Sequence, residues 1–340
     1  MKHYIGAALF AASIAGASVA GTITDTYTSY YAFGDSLTDD GKFGLLSNPS
    51  VGGSFSNDLV YAERIAAQFD GAGLDTGNLA LGGATAGNVN LNPAGPLSTF
   101  AGQVGVFANS LLNNVGLPTG VLPVPTASAT PPTPGTNPLV SVLFGANDIF
   151  QGFNPIDAAN SVGDGIRAIA ALGAEFDDFL VLTLPDLGLT PAYAGANSAG
   201  GTFVSNLFNT QLMANILDLR DDGLNIDIFD TGAAFQDLLD DVANGGQTYG
   251  ILDATNPCTA RLEIALQPNF VQPPSCLDFG IDPNTLLFAD GVHPNGVVHS
   301  VIADRIQEQL APVPLPASLP LMVMGLFGVR FITRRRRHAA

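Results

Sequence analysis

Short, largely apolar runs alternate along this chain with longer stretches of helical spacing, and that alternation restricts its fold more than any other feature. The runs are residues 30–33, 139–143, 179–184 and 226–229. Between them, residues 58–69 place Leu59, Val60, Ala62, Ile65, Ala66 and Phe69 over a polar face, and residues 96–112 do the same with Phe100, Val104, Phe107 and Leu111. Residues 157–174, 202–220, 233–242 and 297–310 also read as helices. Strands that are apolar throughout are buried on both faces, and helices between them supply the crossovers of a parallel sheet. The expectation is an α/β protein of three layers, α/β/α, around a central parallel sheet. Roughly 290 residues lie between an N-terminal leader and a C-terminal tail, enough for one large domain over residues 21–312. No internal repeat is present.

The first apolar run breaks into Gly34, Asp35, Ser36, Leu37 and Thr38. This reads as a buried strand that turns sharply at a glycine and exposes one serine at its carboxyl end, where ligands of open parallel sheets bind. Taken alone, the same residues also describe an ordinary turn. A serine nucleophile needs an imidazole in reach and a carboxylate to orient it. Of four histidines, His3 lies in the leader and His338 in a basic tail. His293 follows Asp290 by three residues in a Gly/Pro-containing loop before the final helix, whereas His299 has no such acid nearby.

Acyl transfer also requires donors aimed at a developing oxyanion. Residues 78–85 end a short apolar run in two glycines, and residues 144–148 project an amide from another strand end. Either stretch is also compatible with plain loop chemistry.

Taken in order, these blocks resemble the GDSL family of SGNH hydrolases. The resemblance runs through Gly34-Asp35-Ser36-Leu37, the glycine block at Gly83, the Gly-x-Asn-Asp block at Asn147 and the Asp-x-x-His block of Asp290 and His293. Residues 184–191 and 288–294 extend it toward the branch of secreted lipases, phospholipases and thermolabile-haemolysin-like proteins. It implies a flavodoxin-like SGNH fold and a carboxylic ester hydrolase working without metal or other cofactor. By position, Ser36 is the nucleophile, His293 the base and Asp290 its orienter. The Ser36 and Gly83 amides and the Asn147 side chain form the oxyanion hole. Ala289 departs from the bulky aromatic expected before the aspartate, which bears on pocket shape and leaves the chemistry intact. Lipid or acylated small-molecule esters, acetylated extracellular polysaccharide, and a catalytically silent matrix protein on the same scaffold are the competing readings.

The ends of the chain concern targeting. Met1, Lys2 and His3 precede an alanine-rich apolar run that closes in Ser18-Val19-Ala20, the pattern of a secretory signal cut after Ala20. A membrane anchor is the rival reading, but the run is short for a span. Residues 313–340 begin Val313-Pro314-Leu315-Pro316-Ala317, continue as an apolar run and end in Arg334–Arg337. They resemble a VPLPA-type PEP-CTERM sorting tail, which implies processing by an exosortase, with transient or permanent membrane contact. The expected location is outside the cytoplasm: periplasm, cell surface or beyond.

All 30 acids lie between Asp25 and Glu308, where only six of the 12 basic residues are found, so this body carries a net charge of 6 − 30 = −24. Such a surface argues against nucleic acid as a partner and suits an extracellular setting, although lineage composition explains it as well. In an exported chain the only two cysteines, Cys258 and Cys276, are expected to pair, with a free pair as the alternative. The Pro- and Thr-rich residues 116–138 read as an extended surface loop, either a plain insertion or a border of the substrate cleft.

Overall fold

The computed structural model describes residues 21–42, 54–119, 126–128, 130–259 and 275–312. The proposed leader (1–20) and sorting tail (313–340) lie outside these residues. Five parallel strands form the central sheet: β1 (Ser29–Gly34), β2 (Asp75–Asn78), β5 (Pro138–Leu143), β6 (Asp178–Leu182) and β7 (Asn225–Phe229), in the spatial order β2-β1-β5-β6-β7. A two-stranded antiparallel hairpin, β3 (Pro118–Thr119) with β4 (Thr126–Ala127), lies within the Pro-rich loop. The described part of that loop lines a groove of about 450 Å³ against β2 and the first long helix.

Seven α-helices are described: α1 (Tyr61–Gly71), α2 (Phe100–Asn113), α3 (Ala146–Phe150), α4 (Pro155–Ala170), α5 (Ser198–Asp221), α6 (Thr231–Ala243) and α7 (Gly296–Leu310). The sheet sorts its side chains strictly by parity, because successive residues of a strand point to opposite faces. On β1, Tyr31 and Phe33 pack with residues of α2, α4 and α5, whereas Tyr30 and Ala32 pack with α1, α6 and α7. β1 and β5 are buried at every position, which is why their sequences are largely apolar without alternation, with Ser29 and Ser141 buried among the rest. The result is the expected three-layer α/β/α architecture.

The helix starts follow local chemistry. Thr99, Asn154, Asp230 and Asn295 each accept a backbone N–H from the first turn of α2, α4, α6 and α7. α1 lacks such a residue at its N-cap, Val60. Its first N–H groups are met instead by Glu63, which accepts from Val60 N, and by His299 Nδ1, which accepts from Tyr61 N at 3.2 Å.

Two elements escape the apolar pattern. β2 reads Asp-Thr-Gly-Asn and is half-buried at the sheet edge, held in register by pairing Ser29 with Asp75 through Ala32 with Asn78. Gly77 is required there, since a Cβ would lie 2.4 Å from Leu117 and 2.9 Å from Tyr31. The second is α3, a helix of five residues entered through Gly145 at φ +123°.

Candidate functional site

In this strand order the chain reverses direction across the sheet between β1 and β5, and the crevice beyond their carboxyl ends is the natural ligand site. The segments after β1, β2 and β5 carry Ser36, Gly83 and Asn147 respectively. Gly34 closes β1 without the left-handed backbone that a sharp glycine turn would need. Its importance is proximity: a Cβ would stand 2.5 Å from Thr38 Oγ1 and 2.9 Å from Leu143 O. The turn itself is built by Asp35, whose carbonyl accepts from Thr38 and Asp39 and whose Oδ1 accepts the Leu37 N–H at 3.1 Å.

Ser36 Oγ lies 2.7 Å from His293 Nε2 across 257 residues of sequence. On the other side of the ring, Nδ1 lies 2.8 and 2.9 Å from the two oxygens of Asp290. With Nδ1–H donating to the carboxylate, Nε2 is left to accept the serine proton. Ser36 is 7 % exposed and Asp290 1 %, so the carboxylate is sealed while the hydroxyl remains at the surface of the crevice. Burial alone would raise the Asp290 pKa. The charge and ring hydrogen bond of His293, with the Val292 and His293 amides, outweigh that effect and hold the carboxyl below its ordinary value.

The histidine loop is braced from several directions. Ala289 N donates to His293 O at 2.8 Å, and Ser56 Oγ donates to Pro294 O at 3.1 Å. The Phe55 ring lies 4.9 Å from the imidazole. Cys258 and Cys276 form a disulfide, and the amides of Cys258 and Thr259 donate to Phe288 O and Ala289 O, directly before Asp290. Ala289 is buried in this pairing.

The two donor stretches also meet. Gly83 has φ +80° with open space before its Cα, and neither its N–H nor that of Ser36 is engaged by another of the described residues. Asn147 Nδ2 donates to Ala84 O at 3.1 Å, which fixes the amide beside Gly83 and leaves its second N–H available. A hydroxyl with a base behind it is able to add to an acyl carbon, and the N–H groups of Ser36, Gly83 and Asn147, carried on the segments after β1, β2 and β5, are the candidate donors to the oxyanion that results.

His299, the other internal histidine, is fully buried at the start of α1. Burial, with Arg64 and His293 adding in the same direction, lowers its pKa to about 3, so it is a neutral hydrogen-bond acceptor within the core. Three further buried polar residues bear on the site: Gln103 and Asp39 gave no sequence signal as site residues, and Asp148 is the last residue of the Gly-x-Asn-Asp block. Gln103 clamps both polar groups of the Gly34 peptide, with Oε1 accepting from Gly34 N at 3.1 Å and Nε2 donating to Gly34 O at 2.8 Å. Asp39 and Asp148 hold the glycine loop. Among the described residues, no group of three or more His, Cys, Asp or Glu side chains is placed to hold a metal ion.

The profile of the GDSL-like Lipase/Acylhydrolase family matches residues 30–306. The chain belongs to this family. A curated relative, the "Uncharacterized protein in trpE-trpG intergenic region" of Pseudomonas putida, is 28% identical over 176 residues, which is 49% of this chain and 28% of that protein. Similar solved structures include a member of the lipolytic protein G-D-S-L family from Veillonella parvula, at 14% identity and TM-score 0.43 over 82% of this chain and 96% of that one. Another is a family two carbohydrate esterase from Clostridium thermocellum in complex with cellohexaose, at 14% identity and TM-score 0.44 over 84% of this chain and 64% of that one.

Proposed function

We propose that this GDSL-like acylhydrolase is an exported serine esterase that cleaves carboxylic esters through an acyl-Ser36 intermediate. The observation that carries the reading is the line from Asp290 through His293 to Ser36 Oγ, closed by hydrogen bonds of 2.7 to 2.9 Å. In the first half-reaction His293 Nε2 takes the Ser36 proton as Oγ bonds to the ester carbon. The oxyanion is held by the Ser36 and Gly83 amides and by Asn147, and His293 returns the proton to the departing alcohol oxygen. Water then attacks the acyl carbon, gives its proton to His293, and the acid leaves as Ser36 regains its hydrogen.

Export rests on residues 1–20 and 313–340, and an exosortase-type enzyme is the processing partner that the tail implies. The strongly acidic body favours neutral over anionic esters as substrates. Phe150 lies one helical turn beyond Asn147, is partly exposed and stacks on Tyr193 at 5.9 Å. This flat apolar surface beside the donor suits a lipid acyl chain or the face of an acetylated sugar ring.

The test is hydrolysis of nitrophenyl esters of graded acyl length by the purified protein and by Ser36→Ala. Loss of turnover in a folded variant is expected, with mass spectrometry of wild type finding the acyl group on Ser36. Turnover that survives Ser36→Ala would sink the reading. Comparison of acetylated glycan with long-chain glycerolipid then separates deacetylase from lipase.

A further inference from the structure

The loop that carries Gly83 hangs between two buried carboxylates to which the proposed reaction assigns no part. Asp39, 0 % exposed, accepts Gly82 N–H on Oδ2 at 2.7 Å, while its Oδ1 takes the amides of Gly41 and Lys42 at 3.0 and 2.9 Å. It therefore ties the end of the Ser36 turn to the residue before Gly83. Asp148, 1 % exposed, accepts Ala86 N–H on Oδ2 at 2.8 Å and Gly87 N–H on Oδ1 at 2.9 Å. Its neighbour Asn147 holds Ala84 O.

Burying a carboxylate costs several kcal/mol before its partners are counted, so two on one short loop need a compensating role. Backbone bonds from Leu81 N to Gly34 O, Ala84 N to Leu81 O and Thr85 N to Ser98 O, and Asn90 Nδ2 donating to Gly83 O, also hold the loop, but among the described residues the side chains that accept amides of residues 82–87 are Asp39 and Asp148. Gly83 is a left-handed glycine with nothing packed against its Cα, and its direction is set by the peptides on either side. The anchors fall at Gly82 on one side and at Ala84, Ala86 and Gly87 on the other.

We infer that Asp39 and Asp148 are positioning residues that aim the Gly83 amide, holding it as a preorganised donor for the oxyanion formed at Ser36. This rests on the esterase reading. Donors of that kind accelerate reaction only if they are already in place when charge develops, so loosening the loop costs transition-state binding and leaves ground-state binding nearly unchanged.

The experiment uses the full-length protein, with intact sites counted by fluorophosphonate titration of Ser36. Asp148→Asn keeps one acceptor and turns an NH2 group against a backbone N–H that needs one. Per titrated site, kcat for a short-chain nitrophenyl ester should fall about 10- to 100-fold with KM within about threefold. An alkylboronic acid adds Ser36 Oγ to boron, with the proton passing to His293, and becomes a tetrahedral anionic boronate with a hydroxyl where the ester oxyanion would sit. Its Ki should rise in step with the loss in kcat. A purely structural role would lower the count of titratable sites and leave kcat per site and Ki alone. Should Asp148→Asn yield no titratable protein, Asp39→Asn tests the opposite anchor with the same expected split. Unchanged kcat per site and boronate Ki overturn the inference while the esterase reading stands; wild type inactive on every ester overturns both.

Discussion

His299 Nδ1 accepts the Tyr61 amide hydrogen at 3.2 Å, so a side chain of α7 caps a helix 238 residues away. The bond needs a neutral ring, and burial keeps the folded-state pKa at about 3 against 6.5 for a free histidine. An unfolded chain therefore takes up a proton near pH 6.5 that the folded chain refuses. Stability from this group is complete above pH 6.5 and declines as pH falls toward 3, by at most about 1.4 kcal/mol per pH unit. His299→Gln retains an acceptor and cannot titrate. Urea midpoints between pH 4 and 7 should show a flatter acid decline for the variant, and parallel curves would mean that the buried ring already carries its proton.

Asp35 has the opposite sign. Burial raises its pKa to about 7; the Leu37 amide and His293 oppose the rise, and Asp148 adds to it. Between pH 3.8 and about 7 the folded chain keeps a proton that the unfolded chain has lost. The associated stability is full below 3.8 and disappears as pH climbs through 7. Asp35→Asn preserves an oxygen for the Leu37 N–H and removes the titration. Relative to wild type it should gain stability between pH 5 and pH 8, measured by denaturant midpoints, and a constant difference would show Asp35 to be ionised throughout.

Much of this architecture is legible in the sequence because β1 and β5 are buried on both faces and are largely apolar, the interior Ser141 being met by the Tyr30 hydroxyl. β2 is not: its Asp-Thr-Gly-Asn becomes a strand through pairing with β1 and through the space Gly77 leaves for Tyr31 and Leu117. Asp290 and His293 can be read as partners since three residues separate them. The approach of His293 to Ser36 spans 257 residues; elimination among four histidines and the acid at Asp290 made His293 the candidate, and the family resemblance joined it to Ser36. Asp39 and Asp148 illustrate the converse, for an acid in a Gly-rich turn looks solvated until its burial and the amides aimed at it are seen.

The disulfide bears on the histidine loop as well as on the chain's entropy. It closes a segment with sequence separation 18, for which chain-entropy arguments give about 3 kcal/mol of stabilisation. Cys258 and Thr259 also donate to Phe288 O and Ala289 O, the peptides that lead into Asp290. Replacing both cysteines by serine should lower the melting temperature and make ester hydrolysis fail at a lower temperature than in wild type. Unchanged thermal inactivation would mean that the backbone pairing is sufficient by itself.

Asp290→Asn separates orientation from chemistry in the proposed triad. The carboxylate now accepts the Nδ1 proton and thereby fixes Nε2 as the acceptor facing Ser36. An asparagine of the same shape can offer an NH2 to Nδ1, which would stabilise the tautomer with hydrogen on Nε2. That ring cannot take the serine proton. Turnover should then fall by about 10³ to 10⁴, the scale of the equivalent change in serine hydrolases generally, with KM little altered. The Val292 and His293 amides that share Oδ1 would keep an acceptor, so the loop should remain folded. A variant within about tenfold of wild-type kcat would mean that His293 is held in its working tautomer by something other than Asp290.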